Sequence, residues 1–228
     1  MSARSTTFKL PPLESGDRLT RQEFERRYQT MPHIKKAELI EGVVYLASPV
    51  RAKSHGRPHA QVMAWLTAYW VATPGVDMGD NATVRLDVDN EPQPDALLRL
   101  EPEVGGNSRI SDDDYVEGAP ELIAEIAASS ASYDLTDKLN AYRRNGVQEY
   151  IVWQIYENRL NWFRLEEGRY VALEPDAAGI IRSQVFPGLW LSVPALQQGK
   201  LAEVLAVLQQ GLQTQEHQAF VESINSRG

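Results

Sequence analysis

The chain of 228 residues is 43% hydrophobic and carries a formal net charge of −8 at pH 7, with a pI of about 5.1. It contains no cysteine, which excludes disulfides, thiolate metal sites and a cysteine nucleophile. The excess of acidic residues argues against a broad positively charged surface that binds nucleic acid, but it is compatible with a groove that is locally basic. Because we find no signal peptide and no apolar stretch of membrane length, we expect a cytoplasmic protein.

Proline and capping residues organise the start of the chain. Residues 1–18 contain two adjacent prolines and a glycine and predict an irregular arm. Thr20 followed by Glu23 forms a capping box, which predicts a helix over residues 19–30. The folded part of the chain is therefore expected to begin near residue 19.

Hydrophobic spacing divides the rest of the chain into helices and strands. A helical period predicts helices over residues 55–71, 133–145 and 196–212. Alternation and turn residues predict strands over residues 37–46, 82–88, 94–100, 121–127, 149–155, 159–165, 169–173 and 185–191. The polar segment 101–120 is expected to be mobile, and residues 213–228 are expected to form a polar tail that frays. These patterns predict a mixed α/β domain over residues 19–212, with an antiparallel meander after residue 148.

Two carboxylates on neighbouring strands are the most informative feature. Glu125 lies in the middle of the apolar run 121–127, where an ionised carboxylate is unfavourable unless a cation or a donor meets it. Asp95 begins another apolar strand. Two such acids can hold a divalent metal. The alternative is that Glu125 lies on an edge strand and faces water.

A lysine on the next helix is placed to reach Glu125. Lys138 borders the apolar stripe that Leu135 and Tyr142 help to define. Near a metal-bound water, its ammonium could orient the nucleophile or stabilise a negative transition state. The alternative is that Lys138 pairs with Asp134, one helical turn away.

Other polar residues remain open at this point. Glu38 and Glu41 have odd spacing and point to different faces of a regular strand, so one of them could complete the acidic cluster. His55 and His59 have a spacing that suits zinc, but no further ligand completes a recognisable zinc motif. His55 could instead lie near a phosphate or a metal.

The order of these residues resembles a known family. The resemblance rests on the strings Glu38-Leu39-Ile40-Glu41-Gly42, Ser48–Pro49 with His55, Pro94–Asp95, Gly118-Ala119-Pro120-Glu121-Leu122-Ile123-Ala124-Glu125-Ile126, the set Asp134, Lys138 and Tyr142, and Gly146-Val147-Gln148-Glu149-Tyr150. In this order they resemble the putative restriction endonuclease family, once catalogued as a domain of unknown function, within the PD-(D/E)XK nuclease superfamily. The resemblance runs from about Leu19 to Leu212.

The resemblance implies a restriction-endonuclease-like mixed central β-sheet flanked by helices, and it assigns roles. Asp95 and Glu125 match the two metal-binding acids of the superfamily, and the backbone carbonyl of Ile126 would also bind the metal. Glu38 matches an upstream acid of the family's opening motif. The superfamily usually places its catalytic lysine two positions after the second acid, where this chain has Ala127. Lys138 matches a lysine on the family's following helix, to which the role could have moved.

Two smaller departures accompany the missing lysine. A serine often found three residues after the second acid is Ala128 here, and an aspartate often found after the Tyr150 strand is replaced by Gln154. These departures concern catalytic competence more than the fold.

The function implied by the resemblance is hydrolysis of phosphodiester bonds by an endonuclease that depends on Mg²⁺ or Mn²⁺. The expected partner is nucleic acid, with DNA as the expected substrate, and the protein is expected to be a homodimer. Two alternatives stay open. The chain could be a catalytically inactive interaction module on a nuclease fold, or a structural homodimer whose interface uses Trp153, Trp162 and Phe163.

Overall fold

The computed structural model describes residues 10–47 and 51–227, so the Ser48–Pro49 pair of the family resemblance lies outside the described residues. The helices are α1 (Arg21–Tyr28), α2 (Arg57–Ala72), α3 (Ala131–Tyr133), α4 (Leu139–Asn145), α5 (Val193–Gln197), α6 (Leu201–Leu212) and α7 (Gln215–Asn225). Two π-helical turns, Ala52–Gly56 and Asp134–Lys138, run directly into α2 and α4, and a 3₁₀ turn covers Pro102–Val104. No helix in these ranges is long and apolar enough to cross a membrane.

The strands fall into one large sheet and smaller pairings. They are β1 (Ala37–Ile40), β2 (Val43–Leu46), β3 (Val76–Asp80), β4 (Val84–Arg85), β5 (Ala96–Leu100), β6 (Arg109–Ile110), β7 (Val116–Glu117), β8 (Leu122–Ala127), β9 (Glu149–Gln154), β10 (Arg159–Glu166), β11 (Arg169–Ala172), β12 (Ile180–Arg182) and β13 (Trp190–Ser192). The large sheet has six strands in the order β11-β10-β9-β8-β5-β3. Its parallel pair, β8 and β9, lies at the centre. The expected antiparallel meander is formed by β9, β10 and β11.

Strand β8 separates the two main hydrophobic cores. Ile126 packs on one face of the sheet in a core that includes Trp65 of α2. Ile123 packs on the other face, in a core that includes Tyr142 of α4. Every residue of β8 is buried, as expected for a central strand that is covered on both faces. The expected alternation along this strand is confirmed, and the side of the sheet that faces α4 is the one that carries Glu125.

Some elements differ from the expected pattern. The edge strand β3 was not expected, because its sequence, VDMGD, mixes two aspartates and a glycine into a short apolar run. The expected strand over residues 82–88 is only β4, which joins β6 and β7 in a small three-stranded sheet. The polar segment 101–120 contains a 3₁₀ turn and the short strands β6 and β7 and is not only a loop, while its mobility stays a prediction.

The C-terminal region also differs. The expectation of a frayed tail was wrong, because residues Gln215–Asn225 form helix α7. The Thr214 side chain caps this helix by accepting a hydrogen bond from the His217 N–H at 3.3 Å. Inside the fold, the His217 ring lies 3.0 Å from the hydroxyl of Thr73, which directly follows helix α2, and Ile224 is buried. The polar composition of α7 concealed a narrow apolar face that packs on the domain. The division of the chain into an arm, a domain and a tail at residues 19 and 212 stays a prediction.

Candidate active site

The two acids singled out in the sequence lie at one end of adjacent antiparallel strands. The register between β5 and β8 pairs Ala96 with Ala124, and its continuation by one residue places Asp95 opposite Glu125. Both acids are 4% exposed. The N–H of Ile126 donates to Asp95 Oδ2 at 2.7 Å, which ties the end of β5 to β8. The alternative that Glu125 faces water on an edge strand was wrong.

Lys138 joins the acids from the other side. Its Nζ atom lies 2.9 Å from Glu125 Oε1 and 2.9 Å from Glu38 Oε1. The Asp134 carboxylate is further from Nζ, at 3.9 Å. The pairing of Lys138 with Asp134 is therefore present, but it is not the whole arrangement, because the ammonium also bridges Glu38 and Glu125 at shorter distances.

Glu38 is held in place by the backbone of the chain before Asp95. Its Oε1 atom accepts the N–H of Gln93 at 2.8 Å, in addition to its contact with Lys138. Glu41, three residues on, does not reach the cluster. It lies in the turn between β1 and β2 with a φ of +52°, and its carboxylate accepts a hydrogen bond from Arg144 at 2.8 Å.

Two tyrosines complete the wall around Lys138. Tyr142 donates its hydroxyl to Glu125 Oε1 at 2.9 Å, the same oxygen that Lys138 contacts. The Tyr133 ring centroid lies 5.5 Å from Lys138 Nζ, and this ring packs on Tyr45 at 4.1 Å between centroids. Sequence spacing placed Tyr142 in the apolar stripe of the helix but gave no sign that its hydroxyl binds Glu125.

Asp95 is flanked by two basic side chains that the sequence did not connect to it. His55 Nε2 lies 3.2 Å from Asp95 Oδ1, and Lys36 Nζ lies 3.8 Å from the same oxygen. His55 and Lys138 both lie in π-helical turns, a wide turn that occurs often at functional sites. Each π-helical turn therefore supplies one basic residue to one of the two strand acids.

His55 and His59 do not form a zinc site, because they meet different groups. His59 Nε2 contacts the Asp95 carbonyl oxygen at 3.1 Å and Asp80 Oδ1 at 3.0 Å, whereas His55 contacts the Asp95 carboxylate. Over residues 10–47 and 51–227, no group of three or more histidine, aspartate and glutamate side chains is arranged to enclose a metal ion. The spacing of four residues thus reflects two separate polar contacts.

The aromatic residues suggested for a dimer interface lie inside the domain. Trp162 is 1% exposed and Trp153 is 5% exposed, and both belong to the core beneath α2. Phe163 is partly buried against the other core. The alternative that these side chains form a dimer interface was wrong for Trp153 and Trp162, because the chain itself already covers their surfaces. Gln154, at the end of β9, donates to Asn161 on β10 at 2.7 Å.

The cluster holds more acid than base. Burial raises the pKa of Glu125 to about 8 in spite of the nearby Lys138, and burial raises the pKa of Asp134 to about 6. Burial also acts on Asp95, but His55 and Lys36 bring the pKa of this carboxyl below its usual value. Although burial disfavours an ammonium, Glu125 and Glu38 hold the pKa of Lys138 well above its ordinary range. This excess of carboxylates favours the entry of a further cation.

The donor set fits a hard divalent cation. Lys138 and Tyr142 both contact Glu125 Oε1. In the described part of the chain, no donor forms a hydrogen bond with the second carboxylate oxygen, Glu125 Oε2. Mg²⁺ in enzymes is often bound through one or two carboxylates while water and substrate phosphates supply the remaining ligands. Asp95 and Glu125 meet that requirement without a third side chain.

The mixed six-stranded sheet and its flanking helices define a nuclease-like class of fold. The mixed sheet resembles the crystal structure of a putative nuclease belonging to DUF820 from Anabaena variabilis, with a TM-score of 0.57 over 76% of this chain and 97% of that chain at 14% identity. At this identity the similarity concerns the fold. No curated protein matches the chain in sequence.

The particular family follows from the sequence itself. Residues 21–194 match the model of the Uma2 family, described as putative restriction endonuclease, and the chain belongs to this family. The resemblance seen in the order of the short motifs is therefore confirmed. The family model ends within α5, so helices α6 and α7 lie beyond the matched region.

Proposed function

We propose that this protein is a metal-dependent endonuclease that hydrolyses phosphodiester bonds of DNA. The observation that supports this most directly is the position of Lys138, whose ammonium contacts Glu125 at 2.9 Å on the strand next to Asp95. In this proposal Asp95, Glu125 and the carbonyl of Ile126 bind Mg²⁺ or Mn²⁺. Membership of a nuclease family supports the class of reaction, while the metal and the DNA substrate are the proposal's own.

Each residue of the cluster has a distinct task. The bound metal would polarise the scissile phosphate and lower the pKa of a water molecule. Asp95 and Glu125 supply oxygen ligands from two rigid strands, which fixes where the phosphate must sit. Lys138 holds a positive charge beside this point and stabilises negative charge that develops on the phosphate or orients the attacking water.

Glu38 acts as a positioning residue in this proposal. It contacts the same ammonium as Glu125 and is itself fixed by the N–H of Gln93. The Lys138 side chain is 4% exposed, and a charge buried to this extent needs more than one partner to keep a single position. Loss of Glu38 should therefore disturb where the ammonium lies and leave the two metal-binding acids in place.

The missing lysine at position 127 does not remove a cation from the cluster. Ala127 is fully buried in the α4-side core, on the same face of β8 as Glu125. The ammonium of Lys138 arrives from helix α4's N-terminal side and still reaches Glu125. We therefore assign to Lys138 the role that the superfamily gives to a lysine on the strand.

A homodimer is part of the same proposal. A single cluster of this kind cuts one strand, and cleavage of both strands of a duplex by one complex requires two copies of the site. The test is the mass of the purified protein in solution, by light scattering, with and without duplex DNA. A monomer in both conditions would remove the dimer from the proposal without affecting the chemistry.

The function is tested by cleavage and by metal binding together. Supercoiled plasmid is incubated with the protein and Mg²⁺ or Mn²⁺, and metal binding is measured by calorimetry. We expect nicking or linearisation that is lost in Asp95→Asn and Glu125→Gln, with loss of saturable metal binding. Lys138→Met should retain metal binding and lose cleavage. A wild-type protein that binds neither ion saturably would overturn the proposal.

The inactive interaction module remains a second candidate, and one observation favours it. Lys138 contacts both Glu38 and Glu125 at 2.9 Å, so a protein cation already links these two buried carboxylates. In that case the network would only stabilise the fold. The Asp95→Asn variant would then bind a partner as the wild type does. Saturable metal binding that depends on Asp95 separates the two functions.

A further inference from the structure

The chain contains a long stretch without a carboxylate side chain, beside the acid cluster. Glu41 and Asp77 are consecutive acids in the sequence, so residues 42–76 contain none, although the chain has 31 acids in 228 residues. The same stretch contains Arg51, Lys53 and Arg57. Positive charge is therefore concentrated locally in a protein whose net charge is −8. We name residues 51–57 the basic segment.

The basic segment presents its charges to solvent. Arg51, Lys53 and Arg57 are all exposed, and they lie in or next to the first π-helical turn and the start of α2. Within the described ranges no carboxylate comes within 4.0 Å of their charged nitrogens, in contrast to the exposed Arg26 and Arg109, which are paired with acids at 2.7 and 2.6 Å. These three charges are thus available to an anionic partner.

The basic segment is tied directly to the acid cluster. His55, at its centre, contacts the Asp95 carboxylate at 3.2 Å. On the other side of Asp95, Lys36 lies 3.8 Å from the same oxygen, and Lys35 next to it is exposed. Positive charge therefore borders the cluster from two elements that are distant in sequence. A polyanion that passes the acids would meet cations before and after them.

One side chain of the segment is held in position. Arg51 Nη1 donates to the hydroxyl of Tyr156 at 3.3 Å, and Tyr156, in the turn between β9 and β10, is 58% exposed. Because the partner is an uncharged hydroxyl, the guanidinium keeps its full positive charge and most of its donors. An arginine fixed in this way suits the bidentate recognition of phosphate.

We propose that the basic segment is the surface on which the phosphate backbone of a nucleic acid lies when it enters the site. The spacing of exposed, unpaired cations along one segment suits a row of phosphates better than a single small anion, because each cation can meet a separate charge. This inference rests on the proposed nuclease function for the nature of the partner. It goes beyond that function in assigning the contacts outside the acid cluster.

The test compares two triple variants with equal changes of charge. Arg51→Gln, Lys53→Gln and Arg57→Gln are combined in the first variant. The matched control combines Arg26→Gln, Arg109→Gln and Lys200→Gln, which removes three exposed cations that are paired with acids elsewhere. Circular dichroism and thermal melting verify that both variants fold.

Binding is measured without catalysis. A fluorescein-labelled DNA duplex is titrated with each protein in EDTA, by fluorescence anisotropy, over a series of potassium chloride concentrations. We expect the first variant to lose affinity at least about tenfold at low salt, and its slope of log K against log salt to fall by about 2 to 3, since each phosphate contact contributes about 0.9. The control should bind like the wild type.

The outcomes separate this inference from the proposed function. Equal affinities and slopes for the two triple variants would overturn the basic segment as the binding surface, whether or not the protein cleaves DNA. A wild-type protein that fails to bind the duplex would overturn it as well. Binding that depends on the basic segment, together with no cleavage in Mg²⁺ or Mn²⁺, would support this inference and contradict the nuclease chemistry.

Discussion

Replacement of Lys138 by methionine gives a direct measure of how the acid cluster is held together. Methionine keeps the length of the side chain and removes the charge. The ammonium is 4% exposed and contacts two carboxylates at 2.9 Å. Removal of one partner of a buried ion pair typically costs about 3–5 kcal/mol, because the remaining charge is left in a medium of low polarity. We expect Lys138→Met to lower the free energy of unfolding by about this amount near pH 8.

The loss should depend on pH with a definite sign. Burial raises the pKa of Glu125 to about 8, above the ordinary value of 4.5, and Lys138 is the group that opposes this rise. Without Lys138, the Glu125 carboxyl of the folded variant binds its proton more strongly still. The folded variant then holds this proton over a wider pH range than the unfolded chain does, so its stability falls more steeply as the pH rises. The difference in stability between variant and wild type should be smallest near pH 5, where Glu125 is protonated in both folded proteins.

Urea denaturation followed by tryptophan fluorescence, at several pH values from about 5 to 9, measures both quantities. The matched control is Lys200→Met, which removes an exposed lysine paired with Glu203 at 3.3 Å and should change the free energy by less than about 0.5 kcal/mol. A second variant, Lys138→Met with Glu125→Gln, should recover part of the loss because both partners are then uncharged. Equal effects for Lys138→Met and Lys200→Met, or a loss that is constant with pH, would refute the reasoning.

Three further predictions concern stability. Glu91 is buried, and burial together with the neighbouring Glu25 raises its pKa to about 8. Glu91→Gln should therefore raise the free energy of unfolding by about 1 kcal/mol or more at pH 8.5 and leave it unchanged near pH 5. Urea denaturation at the two pH values measures this difference. A Cβ added at Gly211 would stand 2.2 Å from the Gly188 carbonyl oxygen, so Gly211→Ala should lower the free energy of unfolding by about 3 kcal/mol. A Cβ added at Gly56 would meet nothing within 4 Å, and the φ of this residue is helical at −58°. Gly56→Ala should therefore raise the free energy of unfolding by up to about 1 kcal/mol. Removal of residues 213–228 deletes α7 together with His217, so the buried Thr73 loses its contact with this ring, and the melting temperature should fall by about 5 °C or more in calorimetry. An unchanged melting temperature would contradict the assigned docking of α7.

The placement of the strand acids could be predicted because strands have a simple period. Alternation alone put Glu125 on the same face as Ile123, and it predicted a neighbouring strand that begins at Asp95. Helical spacing then placed Lys138 beside Tyr142, close to the acids. These rules are local, and the structure follows them wherever a strand or helix is regular.

Glu38 could not be placed, because its face depends on the backbone around a turn. Glu41 and Gly42 both have positive φ, at +52° and +71°, and the chain reverses there instead of continuing one strand. The contact of His55 with Asp95 depends on a π-helical turn, and the spacing of apolar residues did not predict this turn. Helix α7 was missed for another reason, since its apolar face consists of few residues among many polar ones. In each case the decisive information was long-range packing.

The two π-helical turns make the length of the chain critical at two places. A turn of this kind contains one residue more than an α-helical turn, and successive residues of an α-helix are rotated by about 100° about its axis. Excision of the exposed Thr136 would let the second of these turns relax into a regular helix and would turn everything before it by about that angle relative to Tyr142. Lys138 and Tyr142 would keep their places relative to each other, but both would lose their alignment with the Glu125 oxygen that they contact. The length of this turn therefore determines whether an amine and a hydroxyl can meet the strand carboxylate at the same time.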